Sequence, residues 1–176
     1  MLMNWKVGAS ALALAVLLSG CSSVDLNDAD KAGSLAGQDA ASANGNGMNN
    51  PFADPSNPLS QRSIYFGFDS YEVEGKYLSA VQAHAQWLNA HPNVTIQIQG
   101  NTDERGGREY NLALGQKRSE AVKQRLQLLG VPAQRIEAVS YGKEKPQATG
   151  HTEEAWAQNR RADIVYPAEV INGQVR

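Results

Sequence analysis

Hydrophobic and polar residues follow a regular pattern only from Arg62 onward. Apolar residues occupy every second position of residues 64–68 and again of residues 94–98, which predicts two strands that each bury one face. Between these strands, apolar residues recur every three or four positions, which predicts an amphipathic helix that ends before Pro92. The apolar stripe of this helix comprises Leu78, Val81, Ala85 and Leu88.

The rest of this region repeats both spacings. A second long helix is predicted to end at Gly130 and Pro132. Its apolar stripe comprises Ala121, Val122, Leu126 and Leu129. Residues 136–141 and 161–166 have strand patterns, and residues 155–158 predict a helical turn between them. The order β-α-β-α-β-(α)-β predicts an α/β fold, a two-layer sandwich with helices on one face of a mixed sheet.

The first twenty residues have the layout of a secretory signal peptide. A short positive start precedes an apolar run at residues 7–18, whose helix of about 18 Å is too short for a bilayer core of about 30 Å. Residues 18–21, Leu-Ser-Gly-Cys, resemble the lipobox of bacterial lipoproteins. The resemblance implies that Cys21 carries a lipid anchor and, because Ser22 follows it, that the protein is sorted to the outer membrane. The alternative is an ordinary signal peptide with a coincidental cysteine.

Residues 21–61 are predicted to form a lipidated N-terminus and a disordered linker. Residues 22–60 consist almost wholly of Ala, Gly, Ser, Asn, Asp, Pro and Gln, and their few large apolar residues follow no helical or strand period. Such a segment buries too little surface to offset chain entropy, although a weakly ordered subdomain is the alternative. The sequence therefore predicts a signal peptide at 1–20, this linker, one domain at 62–166 and a frayed tail at 167–176.

Composition and charge narrow the function classes. The formal net charge is -2, which argues against a protein that binds nucleic acid through a basic surface. One cysteine excludes an intramolecular disulfide, and three scattered histidines provide no zinc-ligand cluster, so no cofactor is expected. His84 is predicted to be a structural residue beside the first apolar stripe. Trp87 and Trp156 are predicted to pack rather than to stack on bases.

A polar loop at residues 102–107 follows the second predicted strand and supplies the candidate chemistry. If Gly115 is a helix N-cap, Arg118 falls in a first turn, where its guanidinium and free backbone N–H groups could receive a carboxylate. Asp103, at the nearby sheet edge, could hold an ammonium group at the other end of the same ligand. Two alternatives remain open. In the first, the helix would run unbroken from Glu109 and place Arg118 about 14 Å along its axis. In the second, Asp103 and Arg118 would simply pair with each other.

A second basic position lies at the predicted start of the last strand, where Asn159, Arg160 and Arg161 are consecutive. Two arginines at a strand start usually form a solvated or ion-paired edge. A direct role in ligand binding is the alternative.

Four segments together resemble the OmpA-like peptidoglycan-binding domains. The longest is residues 100–122, GNTDERGGREYNLALGQKRSEAV, and the others are residues 65–69, 139–146 and 158–161. The resemblance spans residues 63–166 and implies an OmpA-like sandwich. It also implies a ligand, the side-chain terminus of meso-diaminopimelate in the peptidoglycan stem peptide, which carries an amine and a carboxylate on one carbon.

The same resemblance implies a role for each candidate site residue. Asp103 takes the amine of the ligand, and Arg118 takes the carboxylate. The residues implied to line the same pocket are Phe68, Asp69 and Asn111, with Arg105 at its rim. Neither a catalytic residue nor a metal ligand is implied.

With the lipobox and the linker, the whole chain resembles the lipoproteins of this family. The resemblance implies a non-enzymatic tether, with a lipid in the outer membrane at one end and a domain bound to the cell wall at the other. It also implies protein partners, namely the periplasmic Tol propeller protein and other Tol components. The alternatives are a protein-interaction module that ignores the wall and a wall hydrolase, which no plausible catalytic motif supports.

Overall fold

The computed structural model describes residues 50–173. The predicted signal peptide, the Cys21 lipidation site and the linker up to residue 49 lie outside the described residues, as do residues 174–176. The strands and helices within the described range are β1 (Ser63–Tyr65), α1 (Leu78–Ala90), β2 (Ile96–Asn101), α2 (Arg108–Leu128), β3 (Ile136–Gly142), α3 (Glu153–Asn159), β4 (Arg161–Val165) and α4 (Ala168–Ile171). Short 3₁₀ turns lie at Pro58–Ser60, Gly75–Tyr77 and Ala133–Arg135.

The strands of this range form one mixed sheet in the order β1-β4-β2-β3. β2 and β3 are parallel, because the long helix α2 connects them and returns the chain to the end of the sheet where β2 begins. β4 lies antiparallel between β1 and β2, with Ile164 opposite Ile98 and Ala162 opposite Ile64. The predicted order of elements and the mixed α/β sheet are therefore confirmed.

One face of the sheet carries the core. The strand residues Ile64, Ile98 and Ile164 on this face are almost fully buried. Side chains from α1 and α2 join the same buried cluster, namely Val81, Ala85, Leu88, Val122 and Leu126. The alternate positions of β2, Gln97 and Gln99, are only partly buried and hydrogen-bond to each other (2.7 Å). Both long helices therefore cover one face, as the alternation of the strands predicted.

Helix α2 begins earlier than the N-cap hypothesis required. It starts at Arg108, with Gly107 at the N-cap, and continues through Gly115 to Leu128 without a break. The hypothesis that Gly115 caps a later helix start is therefore wrong, and Arg118 lies in the middle of a helix. Gly115 instead lets α2 approach Gly100 of β2 so closely that a side chain on either residue would collide with the other segment.

The first strand is shorter than the alternation of residues 64–68 predicted. β1 ends at Tyr65, although the Phe66 N–H still donates to the Arg160 carbonyl (2.9 Å). Phe68 is 65% exposed, and Asp69 adopts the left-handed backbone region with φ 51°. The chain therefore leaves the sheet here, which makes Phe68 and Asp69 available to a cleft rather than to the core.

The N-terminal arm, residues 50–61, packs on the domain, although it was predicted to belong to the disordered linker. Phe52 and Leu59 are both buried in the core. The ring centroid of Phe52 lies 5.1 Å from that of Trp87 and 4.7 Å from that of Tyr166. The predicted boundary at residue 62 is therefore too late. Isolated apolar residues without periodicity can still fill a gap between elements that other segments have formed.

The C-terminal segment also differs from the predicted frayed tail. α4 follows β4 directly, and its Val170 is buried in the same core. The Asn50 side-chain amide donates to the Ile171 carbonyl, which joins this segment to the N-terminal arm. Within residues 50–173, no helix combines the length and the hydrophobicity needed to span a bilayer.

Candidate functional site

A cleft forms where β2 ends and the loop at residues 102–107 begins. The Thr102 N–H donates to the Gly142 carbonyl of β3 (2.8 Å), which extends the strand pairing into the loop. Asp103 comes next and is only 5% exposed. Its carboxylate therefore lies at the edge of the sheet where the sequence analysis expected it.

Two arginines neutralise the Asp103 carboxylate. The Arg105 backbone N–H and Nε both donate to Oδ1 (3.1 and 3.2 Å), and its Nη2 donates to Oδ2 (2.7 Å). Arg160 Nη1 lies 3.5 Å from Oδ2. Burial raises the pKa of Asp103, but the hydrogen bonds from Arg105 and the charges of both arginines outweigh burial and hold the pKa below its usual value. Asp103 is therefore an anion at neutral pH.

Arg118 is fully buried and anchored by backbone carbonyls. Its Nε donates to Ser70 O (2.8 Å), Nη1 to Asn101 O (2.9 Å) and Nη2 to Gly67 O (3.1 Å). Since a guanidinium has five N–H donors, one N–H on each terminal nitrogen remains for another acceptor. None of the ion pairs within residues 50–173 involves Arg118. Burial lowers the pKa of Arg118 to about 10, so it remains a cation without a paired carboxylate.

Asp103 and Arg118 line the same cleft of about 240 Å³. The other residues that line it are Phe68, Asp69, Thr102, Arg105, Gly106, Tyr110, Asn111 and Leu114. All six site residues expected from the sequence are therefore brought to one cleft. The alternative in which Asp103 and Arg118 pair directly is not what the structure shows, because the ion pairs of Asp103 are with Arg105 and Arg160.

Arg105 lies across the mouth of the cleft. Its guanidinium carbon is 4.3 Å from the ring centroid of Phe68 and 4.0 Å from that of Trp156, so the cation lies between two aromatic side chains. Asn111 Nδ2 donates to the Arg105 carbonyl (2.8 Å) and holds this part of the loop on the first turn of α2. The expected rim position of Arg105 agrees with its geometry, but its close pairing with Asp103 did not follow from the sequence.

Tyr110 was not singled out from the sequence, although it lies at the entrance of the cleft. Its ring is 51% exposed, and its hydroxyl donates to the Asp69 carboxylate. This bond joins the first turn of α2 to the turn after β1. No periodic signal marks Tyr110, and only its place inside the 100–122 motif could have indicated a role.

The double arginine at the start of β4, Arg160 and Arg161, forms an ion-paired edge, which was the leading interpretation. Arg160 donates to the Phe66 carbonyl (3.1 Å) and to Glu153 Oε1 (2.6 Å), and Arg161 pairs with Asp163 (3.0 Å). Arg160 Nη1 is buried without a hydrogen-bond partner. The contact of Arg160 with Asp103, from outside the cleft lining, did not follow from the sequence.

Two further expectations concern His84 and Trp156, which do not line the cleft. His84 is buried, with Nδ1 2.8 Å from the Tyr166 hydroxyl and Nε2 3.1 Å from the Gln61 carbonyl, which fits a structural histidine. Trp156 packs as predicted, but its partner is Arg105, and its Nε1 donates to Glu104 (2.8 Å). Among the described residues, no group of three or more His, Cys, Asp or Glu side chains is arranged to hold a metal ion.

Known proteins are similar to this chain in sequence and in fold. The crystal structure of the peptidoglycan-associated lipoprotein from Burkholderia pseudomallei is 62% identical, with a TM-score of 0.64 over 66% of this chain and 99% of that one. The peptidoglycan-associated lipoprotein of Pasteurella multocida is 52% identical over 110 residues, 61% of this chain and 73% of its relative. That of Haemophilus influenzae is 47% identical over 143 residues, 77% of this chain and 94% of its relative.

The OmpA family model matches residues 65–160. This range includes all four charged residues that line the cleft, namely Asp69, Asp103, Arg105 and Arg118. The chain therefore belongs to the OmpA family, among relatives that carry the name peptidoglycan-associated lipoprotein.

Proposed function

We propose that this protein binds peptidoglycan non-covalently through the side-chain terminus of meso-diaminopimelate and tethers the outer membrane to the cell wall. The observation that carries the proposal is the state of Arg118, a buried cation that reaches the cleft with two N–H donors to spare and no carboxylate partner. Burying a cation that no carboxylate contacts directly is costly, and a ligand carboxylate would provide that contact. The names of the relatives support the choice of ligand.

The two remaining N–H groups of Arg118 belong to different terminal nitrogens. Such a pair matches the two oxygens of a carboxylate, so the contact would be bidentate. The three backbone carbonyls that anchor the other N–H groups fix the orientation of the guanidinium before the ligand arrives. A preorganised donor pair loses little conformational entropy on binding.

Asp103 provides the opposite charge in the same cleft. An amino-acid terminus presents an ammonium and a carboxylate on one carbon, so the ligand needs one anion and one cation within a short span. Asp103 is an anion at neutral pH, and Arg118 is a cation. Phe68, Asp69 and Asn111 would border the aliphatic part of the same side chain.

The tether itself depends on residues outside the described range. Cys21 would carry the lipid, and the segment up to residue 49 would connect it to the domain. Two attachments joined by a linker act through effective concentration, so a modest affinity of the cleft is enough to hold the membrane to the wall. We include the Tol propeller protein and other components of the Tol-Pal system as partners, with roles in envelope integrity and cell division.

The test is a calorimetric titration of the purified protein with two muropeptides, one containing meso-diaminopimelate and one containing lysine. The lysine side chain lacks the terminal carboxylate but keeps the amine. We expect affinity for the lysine form to be lower by about tenfold or more, since the contact to a buried arginine is charge-assisted. Equal affinity for the two forms would contradict the proposal.

A second experiment separates binding from hydrolysis and from a module that ignores the wall. Purified protein incubated with sacculi is expected to sediment with them and to release no soluble muropeptide. Asp103→Ala and Arg118→Ala should reduce sedimentation, whereas Arg108→Ala, an exposed arginine on α2, should not. Equal sedimentation of all variants would favour the interaction module, and released muropeptide would favour a hydrolase.

A further inference from the structure

Arg105 occupies the position that a ligand ammonium would need. Its side chain makes two hydrogen bonds to the Asp103 carboxylate, one to each oxygen, and its own backbone N–H makes a third. These contacts satisfy the Asp103 carboxylate, which is the group that the proposed function expects to bind the ligand amine. An incoming ammonium would therefore meet a carboxylate that already has a cation from the same chain.

Arg105 is held at the surface rather than locked into the core. Its side chain is 32% exposed, whereas that of Asp103 is 6% exposed. The guanidinium carbon lies 4.3 Å from the ring centroid of Phe68 and 4.0 Å from that of Trp156, and contacts of this kind do not fix which carboxylate the N–H groups bind. An arginine stacked in this way can change its hydrogen-bond partner without leaving the aromatic surfaces.

A second carboxylate lies within reach of this shift. Arg105 Nη2 is already 3.8 Å from Glu153 Oε2, and the Glu153 side chain is 59% exposed. Arg160 links the two carboxylates, with Nη2 at 2.6 Å from Glu153 Oε1 and Nη1 at 3.5 Å from Asp103 Oδ2. Arg105 therefore has two carboxylates within reach, and it can pair with Asp103 or with Glu153.

The buried Nη1 of Arg160 marks the position of the second arrangement. This nitrogen has no hydrogen-bond partner, and the nearest anion in its ion pairs is Asp103. If Arg105 left Asp103, a small movement of the carboxylate would give Nη1 a full hydrogen bond. That bond would compensate part of what Asp103 loses when Arg105 departs.

We propose, on the basis of the proposed function, that Arg105 is an intramolecular competitor that fills the amine position on Asp103 and moves to Glu153 when the ligand ammonium binds. The competition lowers the affinity for a ligand that places an ammonium on Asp103, because part of the interaction energy is used to displace Arg105. A ligand with a carboxylate but no ammonium would leave Arg105 on Asp103, so this competition would not change its affinity.

The experiment is a double-mutant cycle on the diaminopimelate muropeptide, measured by calorimetry with the purified full chain. Arg105→Gln removes the competitor, and we expect binding to become about three- to tenfold tighter. Glu153→Gln removes the second acceptor, and we expect binding to become about threefold weaker. In the Arg105→Gln background, the Glu153→Gln change should have a clearly smaller effect, because only the contact of Glu153 with Arg160 is then lost. A purely long-range effect of the Glu153 charge would instead be equal in both backgrounds.

Two controls make the outcomes unambiguous. Arg108→Gln removes an exposed arginine from the same segment and should leave the affinity unchanged, and thermal unfolding shows whether each variant is folded. Weaker or unchanged binding of Arg105→Gln would overturn the competitor and make Arg105 a ligand contact or a bystander. If the wild-type protein failed to bind the muropeptide, the proposed function itself would fail, which is a different result from a failure of the cycle.

Discussion

The carbonyl oxygen of Gly115 lies only 1.8 Å from the point where a β-carbon on Gly100 would stand. Helix α2 therefore crosses β2 in direct backbone contact. Arg118 lies about one helical turn after this crossing, and its Nη1 donates to the carbonyl of Asn101, the residue after Gly100 (2.9 Å). The two glycines thus place the buried cation of the cleft at the end of the strand that leads to Asp103.

The crossing predicts a strong effect of Gly100→Ala. The added methyl group would overlap backbone atoms of α2, which cannot move aside as a flexible side chain can. We expect the free energy of unfolding to fall by about 1–3 kcal/mol or more and muropeptide affinity to fall with it, because α2 and Arg118 must shift. Urea unfolding and calorimetry measure the two effects.

Gly75→Ala is the matched control for this substitution. Gly75 lies in a 3₁₀ turn, and a β-carbon there would have no neighbour within 4 Å. We expect its unfolding free energy to change by less than about 0.5 kcal/mol. If Gly100→Ala were as mild as this control, α2 would not be fixed by the glycine contact.

Arg118→Lys tests whether the fork of the guanidinium matters beyond its charge. A lysine ammonium cannot reach three backbone carbonyls and also offer two parallel N–H groups to a carboxylate. We expect affinity for the diaminopimelate muropeptide to fall about tenfold or more. The unfolding free energy should fall by about 1–3 kcal/mol, because buried carbonyls lose their donors.

Arg108→Lys is the matched control, because it makes the same substitution at an exposed arginine on the same helix. Arg108 is largely exposed, and its ion pair with Glu144 is 3.4 Å long. This variant should keep both affinity and stability within experimental error. Equal affinity of Arg118→Lys and the wild-type protein in calorimetry would show that the bidentate geometry is wrong.

His84 predicts a loss of stability in mild acid. Burial lowers its pKa to about 4 from the usual 6.5, and the nearby charge of Arg62 acts in the same direction. The neutral imidazole is therefore the native form, and the unfolded chain binds an extra proton between pH 6.5 and about 4. The contribution of His84 to the free energy of unfolding is fully present above pH 6.5 and is lost as the pH falls toward 4. The loss is about 3 kcal/mol at most, since the pKa values of the unfolded and folded states differ by about 2.5.

The measurement is the free energy of unfolding in urea at pH 7 and at pH 4.5, for the wild-type protein and for His84→Gln. The variant should show a smaller difference between the two pH values, because it has no buried imidazole to protonate. A pH dependence unchanged by His84→Gln would assign the acid sensitivity to other groups.

Phe52→Ala tests whether the N-terminal arm contributes to the fold. The ring packs against Trp87 and Tyr166 in the core, so its removal leaves a cavity. We expect the unfolding free energy to fall by about 3–5 kcal/mol, as for other buried phenylalanines. Phe68→Ala, at an exposed ring, should cost about 1 kcal/mol or less in stability. If both variants were equally stable, residues 50–61 would not belong to the folded unit.

The regular elements were predictable because their signals are local. Alternation in β2 and the three-to-four spacing in α1 arise within a few residues, and a strand or helix must bury that same face. The helix before β4 and the order of all four strands in the chain followed in the same way. The expected position of Asp103 at the sheet edge followed from the loop after β2, whereas that of Arg118 in the same pocket followed only from the family motif, since the N-cap hypothesis was wrong.

The predictions that were wrong concern residues whose role depends on a segment that is distant in the chain. Phe52 carries no periodic signal, and only the gap between Trp87 and Tyr166 makes it a core residue. Gly115 looks like a helix cap in the sequence, because its true reason, the contact with Gly100, lies on another element.

Neighbouring residues in the chain are enough to predict the four strands, the helices between them and their order, whereas α4 and the arm at residues 50–61 depend on packing. Which groups meet in the cleft follows only from the folded chain. Arg118 donates to carbonyls 48 and 51 residues away in the chain, and Asp103 is paired with Arg105 instead of Arg118. The physical reason is that hydrogen bonds and charge pairs depend on distance in space, which sequence spacing reveals only within a single helix or strand.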